Sequence, residues 1–143
     1  MTELDMAWVA GIFDGEGCIA IYLLKSQSGQ HFMRASVQMS HRPTLERIAS
    51  IVGGAVYASK LKKSSPAYYK TMYGWQLDGR DAGQFLEKIR PYVTTKAHEI
   101  DIALEALENW GFMSPSEKHK GLSQEVIETR EHYRLQLKEA KAA

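Results

Sequence analysis

The sequence contains few of the features that would connect the chain to a membrane or to an oxidising compartment. Cys18 is the single cysteine in 143 residues, so no disulfide can form within the chain and we expect a reducing, intracellular environment. No apolar run is long enough to span a bilayer. The first residues are acidic, which predicts neither a signal peptide nor a transit peptide. We therefore expect no membrane partner.

The net charge is only +1, but it is unevenly distributed along the chain. Residues 1–17 carry −4, residues 18–80 carry +7 and residues 81–143 carry −2. A concentrated basic block is what a phosphate-contacting surface needs. A solvated basic face would produce the same pattern, so charge alone leaves both interpretations open.

The N-terminal segment is predicted to form a helix with two different stripes. It starts near Thr2, with Asp5 as the partner in a capping box. Leu4, Trp8 and Ile12 recur at four-residue spacing and are predicted to face a core. Ala7, Gly11 and Gly15 form a second stripe with almost no side chain. Because small residues let two backbones approach closely, this stripe predicts tight packing against another helix.

After Gly17 the apolar pattern changes to a period of two, which indicates strands. The clearest strand alternates an apolar set (Met33, Ala35, Val37, Met39) with a polar set (Arg34, Ser36, Gln38, Ser40). A helix with Pro43 in its first turn follows and ends at Gly53. Strands over about 55–63 and 67–77, a helix stopped by Pro91 and a helix over about 96–110 come next. Residues 111–120 are predicted to be a linker before a polar helix over about 123–138.

This order predicts an α+β fold, αββαββα, with an antiparallel sheet and a C-terminal helical tail. Residues 1–110 are expected to form the main domain, and residues 111–143 a linker and helix belonging to that same domain. The sheet face opposite the helices is too polar for a second core and suits base edges and phosphates. The predicted DNA-contacting residues are Tyr22, Ser26, Arg34, Ser36, Gln38, Ser40, Lys60, Lys62, Lys70 and Gln76. Tyr69, Tyr73 and Trp75 are predicted to be core residues.

The segment Trp8–Gly17, which reads WVAGIFDGEG, resembles the signature helix of the LAGLIDADG homing endonucleases. The family motif ends with an acidic, a small and an acidic residue and glycine, followed at once by a strand, and Asp14–Gly17 before Cys18 has this pattern. The resemblance implies two ββα units on a saddle-shaped sheet and a site-specific double-stranded DNA endonuclease active in intron or intein mobility. The host is unknown from the sequence: a bacterial or phage-infected cytoplasm and an organelle are both compatible with it. A single motif implies a homodimer that packs through Ala7, Gly11 and Gly15 and cuts a long, roughly palindromic site.

The resemblance also implies the catalytic residues. Glu16 would be the metal ligand and catalytic acidic residue, with the Gly15 carbonyl as a further oxygen, holding Mg²⁺ or Mn²⁺ as a substitute. Aspartate is the commoner residue at that family position, and glutamate retains the carboxylate. His41, where the family often has glutamine, would hold or activate a water, although a solvated turn histidine is an equal alternative. Lys96 would balance phosphate charge or polarise a water.

Two other hypotheses remain open. The chain could be a nucleic-acid binder of the same fold that has lost cleavage, such as an intron maturase or a DNA-binding regulator. It could instead be a metabolic or structural α+β domain with an accidental motif, which predicts a monomer without salt-dependent DNA affinity. No nucleotide-cradling glycine loop or nucleophile–histidine–acid constellation is present, so no small-molecule substrate is expected.

Overall fold

The computed structural model describes residues 1–24, 30–59, 70–112 and 121–142. Five α-helices and four strands lie in these ranges. In chain order they are α1 (Glu3–Glu16), β1 (Gly17–Leu24), β2 (Gln30–Met39), α2 (Arg42–Val52), β3 (Ala55–Ala58), β4 (Tyr73–Asp78), α3 (Gly79–Ile89), α4 (Ala97–Glu108) and α5 (Gln124–Ala142). The predicted α+β class and the αββαββα order with a C-terminal helix are confirmed.

The four strands form one antiparallel sheet in the order β1-β2-β4-β3. Gly17 lies opposite Val37 in the β1–β2 pair, and Arg34 lies opposite Asp78 in the β2–β4 pair. The strong period-two pattern of β2 determines which face each side chain takes, because neighbouring residues of a strand point to opposite faces. The predicted assignment of faces in β2 is confirmed, with Met33, Ala35 and Val37 in the core.

The core lies between the helices and one face of this sheet. Its centre is an aromatic cluster in which Phe13 and Trp75 each pack edge-on against Phe85, with ring centroids 5.2 Å apart in both pairs. Trp75 is fully buried, and its indole Nε1 donates a 2.7 Å hydrogen bond to the carbonyl of Gly53. That bond satisfies the one polar atom of the side chain, so the cluster joins α1, α3 and β4 without an unpaired buried group.

The predicted core stripe of α1 is wrong. The buried residues of this helix are Met6, Val9, Ala10 and Phe13, whereas Leu4 is 83% exposed and Trp8 and Ile12 are only partly buried. The capping box between Thr2 and Asp5 is present as predicted. The reason for the error is that α1 is apolar on nearly every side, so periodicity could not indicate which stripe faces inward.

The remaining differences concern strand and helix ends. β3 and β4 span Ala55–Ala58 and Tyr73–Asp78. Residues 60–69, which include the end of the first predicted strand, the start of the second and Tyr69, lie outside the described ranges. Tyr73 packs partly buried against the core, as predicted. In α4 the buried residues are Ile100, Ile102, Ala103 and Ala106, while Leu104 and Leu107 are only partly buried. α5 extends to Ala142, beyond the predicted end near residue 138.

Helix α5 packs against α4 and β1 through buried Tyr133 and Leu137. Arg130 is also buried, and its Nε donates to the carbonyl of Trp110 at 2.7 Å while its guanidinium lies 4.7 Å from the centroid of the Trp110 ring. The carbonyl and the ring supply the polar contacts that a buried guanidinium requires. Burial nevertheless lowers the pKa of Arg130. None of the helices in the described ranges combines the length and apolar composition of a bilayer span.

Acid is expected to weaken the packing of α5 against the rest of the fold, because Glu131 joins α5 to β2. Arg134 donates to its carboxylate, His31 Nε2 does so at 2.7 Å, and together they outweigh partial burial and lower the pKa of Glu131 from 4.5 to about 2. A lowered pKa contributes stability that is present above pH 4.5 and is lost as the pH falls towards 2. We expect Glu131→Gln to weaken stability at pH 7 and to flatten the acid limb of urea unfolding curves. The matched control Glu139→Gln, an exposed position of the same helix, should keep the wild-type limb; if Glu131→Gln keeps it too, the contact contributes nothing.

Candidate active site and nucleic-acid interface

The last residue of α1 lies at a depression on the sheet face that the helices leave open. This depression has a volume of about 270 Å³ and is lined by Glu16, Cys18, Tyr22, Ser36 and Gln38. α1 ends at Glu16 because Gly17 takes an extended conformation and starts β1 directly. The immediate change from helix to strand therefore places one exposed carboxylate beside the polar residues of β2.

The small-residue stripe of α1 faces outward in the single chain. A Cβ atom added at Gly11 or at Gly15 would meet no atom within 4 Å. Ala7, Gly11 and Gly15 are all exposed, and the partly buried Trp8 and Ile12 flank them. The helix thus presents an uncharged, nearly flat strip, along which another helix could approach closely.

Asp14, the first acidic residue of the motif, has a structural role. Its carboxylate accepts the backbone N–H of Lys96 at 2.8 Å and that of Thr94 at 3.1 Å, at the start of α4. Partial burial would raise the pKa of Asp14, but these N–H groups and that of Thr95 outweigh it and lower the pKa. The Lys96 ammonium also lies 3.4 Å from the carbonyl oxygen of Asp14. Lys96 is therefore held against the last turn of α1 by Asp14, which precedes Glu16 by two residues.

Removing this carboxylate tests whether it holds Lys96 in place. We expect Asp14→Ala to lower the free energy of unfolding by about 1 kcal/mol, the usual effect of losing a helix-capping oxygen. Because Lys96 would lose its anchor, any DNA cleavage should fall together with stability. Urea unfolding and a cleavage assay measure the two effects. Asp81→Asn, at an exposed position in the first turn of α3, is the control, and unchanged cleavage in a folded Asp14→Ala protein would contradict the anchoring role.

His41 immediately precedes α2 and is exposed. Its Nδ1 lies 2.7 Å from the hydroxyl oxygen of Thr44, so this contact fixes the ring at the helix start. The residues that line the depression do not include His41 or Lys96. Both catalytic assignments therefore stay predictions that depend on bound DNA or on a second chain.

The predicted DNA-contacting residues differ in how accessible they are. Tyr22 is 41% exposed, Gln38, Ser40 and Lys70 are exposed, and Gln76 is half-buried. Ser36 lies in the depression but is only 8% exposed. Ser26, Lys60 and Lys62 lie outside the described residues.

Arg34 is engaged in an ion pair across the sheet. Its Nε and Nη2 donate to the two carboxylate oxygens of Asp78 at 2.7 and 3.2 Å. The pair raises the pKa of Arg34. The sequence alone did not indicate this pair, because 44 positions separate the partners.

The basic block of the sequence does not form one surface in the described ranges. Arg42 and Arg47 lie on α2, where Arg42 pairs with Glu46 and Arg47 stacks on Trp8 at 4.0 Å. Arg80 lies on α3, with its guanidinium 4.2 Å from the Phe112 ring centroid. Arg34 and Lys70 are thus the described basic residues of the block that do not belong to helices. A run of charge along the chain is divided among elements that face different directions.

Cys18 is exposed in the depression, and its Sγ lies 3.6 Å from the Lys141 ammonium at the end of α5. The sequence alone did not indicate this contact, because Lys141 is 123 positions away from Cys18. Among the described residues, no three His, Cys, Asp or Glu side chains are grouped closely enough to hold a metal ion. Glu16 and the Gly15 carbonyl supply hard oxygen donors of the kind that Mg²⁺ prefers, but one chain offers few of them.

No protein-family model and no curated protein matches the chain. Solved structures do. The homing endonuclease I-CvuI, in complex with the I-CreI target DNA, matches with a TM-score of 0.70 and 20% identity over 94% of this chain and 80% of that chain. The archaeal intron-encoded homing endonuclease I-Vdi141I, complexed with DNA, matches with a TM-score of 0.68 and 16% identity. The match covers 96% of this chain and 84% of that chain. The I-SmaMI LAGLIDADG homing endonuclease bound to cleaved DNA matches with a TM-score of 0.62 and 18% identity over 88% of this chain but 41% of that chain. The chain therefore has the fold of the LAGLIDADG homing endonucleases, as the resemblance of its first helix predicted.

Proposed function

We propose that this chain is a site-specific DNA endonuclease that acts as a homodimer and uses a divalent metal ion. The observation that carries the proposal is the position of α1. The helix exposes Gly11 and Gly15, and its last residue, Glu16, lies beside the polar side of the sheet. One helix thus combines a surface for a second copy with a carboxylate on the side where DNA would lie.

The dimer proposal rests on the character of the exposed strip. The strip residues Ala7, Gly11 and Gly15 carry no charge. Leu4, on the same helix, is among the most exposed large apolar side chains of the described residues. Exposed apolar surface of this kind favours burial against a partner. A two-fold axis beside the strip would pair each glycine with the same strip on the other copy, because a two-fold interface uses one surface twice.

The metal proposal follows from the dimer. Two Glu16 carboxylates near the axis would repel each other unless a cation lay between them. Magnesium, or manganese as a substitute, suits two carboxylates and the Gly15 carbonyls. A divalent ion bound there would supply an activated water and would stabilise the leaving 3′-oxygen. Lys96, held beside the end of α1 by Asp14, would balance the charge of the scissile phosphate.

Specificity would come from the open face of the sheet. Gln38 and Tyr22 are exposed there, and Arg34 lies on the same face of β2 as Gln38. Two antiparallel strands fit the major groove, where each base pair presents its own set of donors and acceptors. Two copies related by a two-fold axis would then read a long, roughly palindromic site.

The proposal is tested by selecting bound sites from a randomised palindromic DNA library in Ca²⁺ and then adding Mg²⁺ to the selected DNA. We expect a dimer in sedimentation, salt-dependent binding and cleavage of both strands within the selected site. Binding without cleavage in Mg²⁺ or Mn²⁺ would support the non-cleaving binder instead. A monomer that binds no DNA would support the accidental-motif hypothesis.

A further inference from the structure

The ion pair between Arg34 and Asp78 lies on the open face of the sheet, the side proposed to contact DNA. The two residues are directly opposite each other in the β2–β4 register. The carboxylate takes the side edge of the guanidinium, because it binds Nε and Nη2. The side chains of Arg34 and Asp78 remain 28% and 45% exposed, so the pair is accessible from solvent.

Two aromatic rings fix the same guanidinium from another side. Tyr22 and Phe32 are opposite each other in the β1–β2 register and stack with ring centroids 5.2 Å apart. The Arg34 guanidinium carbon lies 5.6 Å from the centroid of Tyr22 and 5.0 Å from that of Phe32. Contacts with a carboxylate and with two rings restrict the rotamers of a long side chain, so less freedom is lost when it binds a further group.

The pairing leaves a second edge of the guanidinium free. A guanidinium has five N–H donors, and the end edge, formed by one N–H of Nη1 and one of Nη2, is separate from the side edge. Within the described ranges, no acceptor other than Asp78 bonds to Arg34. Two parallel donors held at this spacing match O6 and N7 of guanine in the major groove, the acceptors that arginine most often contacts.

We propose that Arg34 reads a guanine through its end edge and that Asp78 is the positioning residue that holds this edge towards the DNA. The inference rests on the proposed function, since it names a base within the site that the dimer binds. Adenine presents a donor at N6 beside N7, so it cannot accept both N–H groups. A guanine at one position of each half-site is therefore the expected preference.

The position of Asp78 supports a positioning role over helix capping. Asp78 is the residue that precedes α3, where aspartate commonly caps through its side chain. Here the side chain makes no cap bond and binds Arg34 instead. Asn at this position can still cap a helix, so Asp78→Asn should fold while losing the charged acceptor for Arg34.

The experiment compares four proteins by selecting bound sites from a randomised half-site library in Ca²⁺. They are the wild type, Asp78→Asn, Arg34→Lys and the control Asp101→Asn. The control breaks an ion pair of the same geometry, in which Arg90 Nε and Nη2 bind Asp101 at 2.7 and 3.0 Å, away from the sheet. Melting temperatures establish that each variant is folded.

We expect the wild type and Asp101→Asn to prefer guanine at one half-site position by about 10-fold or more. Asp78→Asn and Arg34→Lys should reduce that preference several-fold and leave the other positions unchanged. Lysine keeps the positive charge, so a loss of preference in Arg34→Lys separates base reading from phosphate binding.

Two results would overturn the inference alone: an unaltered base preference in Asp78→Asn, or a uniform rise in its affinity for all sequences. The second would mean that Asp78 withholds Arg34 from phosphate. If the wild type bound no DNA at all, the proposed function would fail, and the inference with it.

Discussion

Glu16→Gln is expected to reduce DNA cleavage by about 1000-fold or more while DNA binding stays close to that of the wild type. Glutamine has nearly the same size and keeps one oxygen acceptor, so the end of α1 should retain its conformation. It lacks the charge that would attract a divalent ion, and in a homodimer both copies lose it. Initial cleavage rates in Mg²⁺ and binding in Ca²⁺ measure the two effects on the same selected DNA.

The matched control for this variant is Glu3→Gln. Glu3 is an exposed carboxylate in the first turn of the same helix, at the opposite end of α1 from Glu16. Both substitutions remove one negative charge, so they change the net charge equally. Glu3→Gln should cleave at the wild-type rate. A Glu16→Gln protein that cuts as fast as this control would remove Glu16 from the proposed mechanism.

Gly11→Leu is expected to weaken the homodimer by about 100-fold and to abolish cleavage at protein concentrations where the wild type is a dimer. In the single chain a side chain at Gly11 has open space, so the monomer should fold. Leucine should even favour the helix by up to about 1 kcal/mol. At a glycine-lined dimer axis the same side chain would enter twice and force the two helices apart. Sedimentation over a concentration series measures the change.

Glu139→Leu serves as the control for Gly11→Leu, because it adds an exposed leucine on α5 away from the strip. It should leave the dimer and cleavage intact. If Gly11→Leu remains a dimer, the strip is not the interface between copies. The same conclusion follows if the wild type is itself a monomer and Gly11→Leu only makes that monomer more stable. That outcome would count against the homodimer and leave the fold unaffected.

The fold was largely predictable because its main signals are local. The period-two pattern of β2 separates the core side of Met33 from the open side of Arg34 without any tertiary information. The capping box at Thr2 and the glycine after α2 similarly depend on a few neighbouring residues. The core stripe of α1 was not predictable, because Leu4 and Phe13 lie on opposite sides of a helix that is apolar nearly all round.

The contacts around the candidate site depend on residues that are distant in sequence. Asp14 and Lys96 are 82 positions apart, and their hydrogen bond requires α4 to start beside the end of α1. The pairing of Arg34 with Asp78 requires a particular β2–β4 register. A hydrophobic pattern indicates which face of the sheet each residue occupies, but it does not indicate which residues of two strands lie opposite each other. Arginines in one sequence block separated onto α2, α3 and the sheet for the same reason.

The element order, the polar side of the sheet and the acidic end of the first helix follow from local residue patterns, because each depends on residues within about one turn or strand. Three features became clear only from the folded chain: the buried stripe of α1, the carboxylate that holds Lys96 and the edge of Arg34 that stays unbonded. These features depend on contacts between segments that are distant in sequence, and the packing of the whole core determines those contacts.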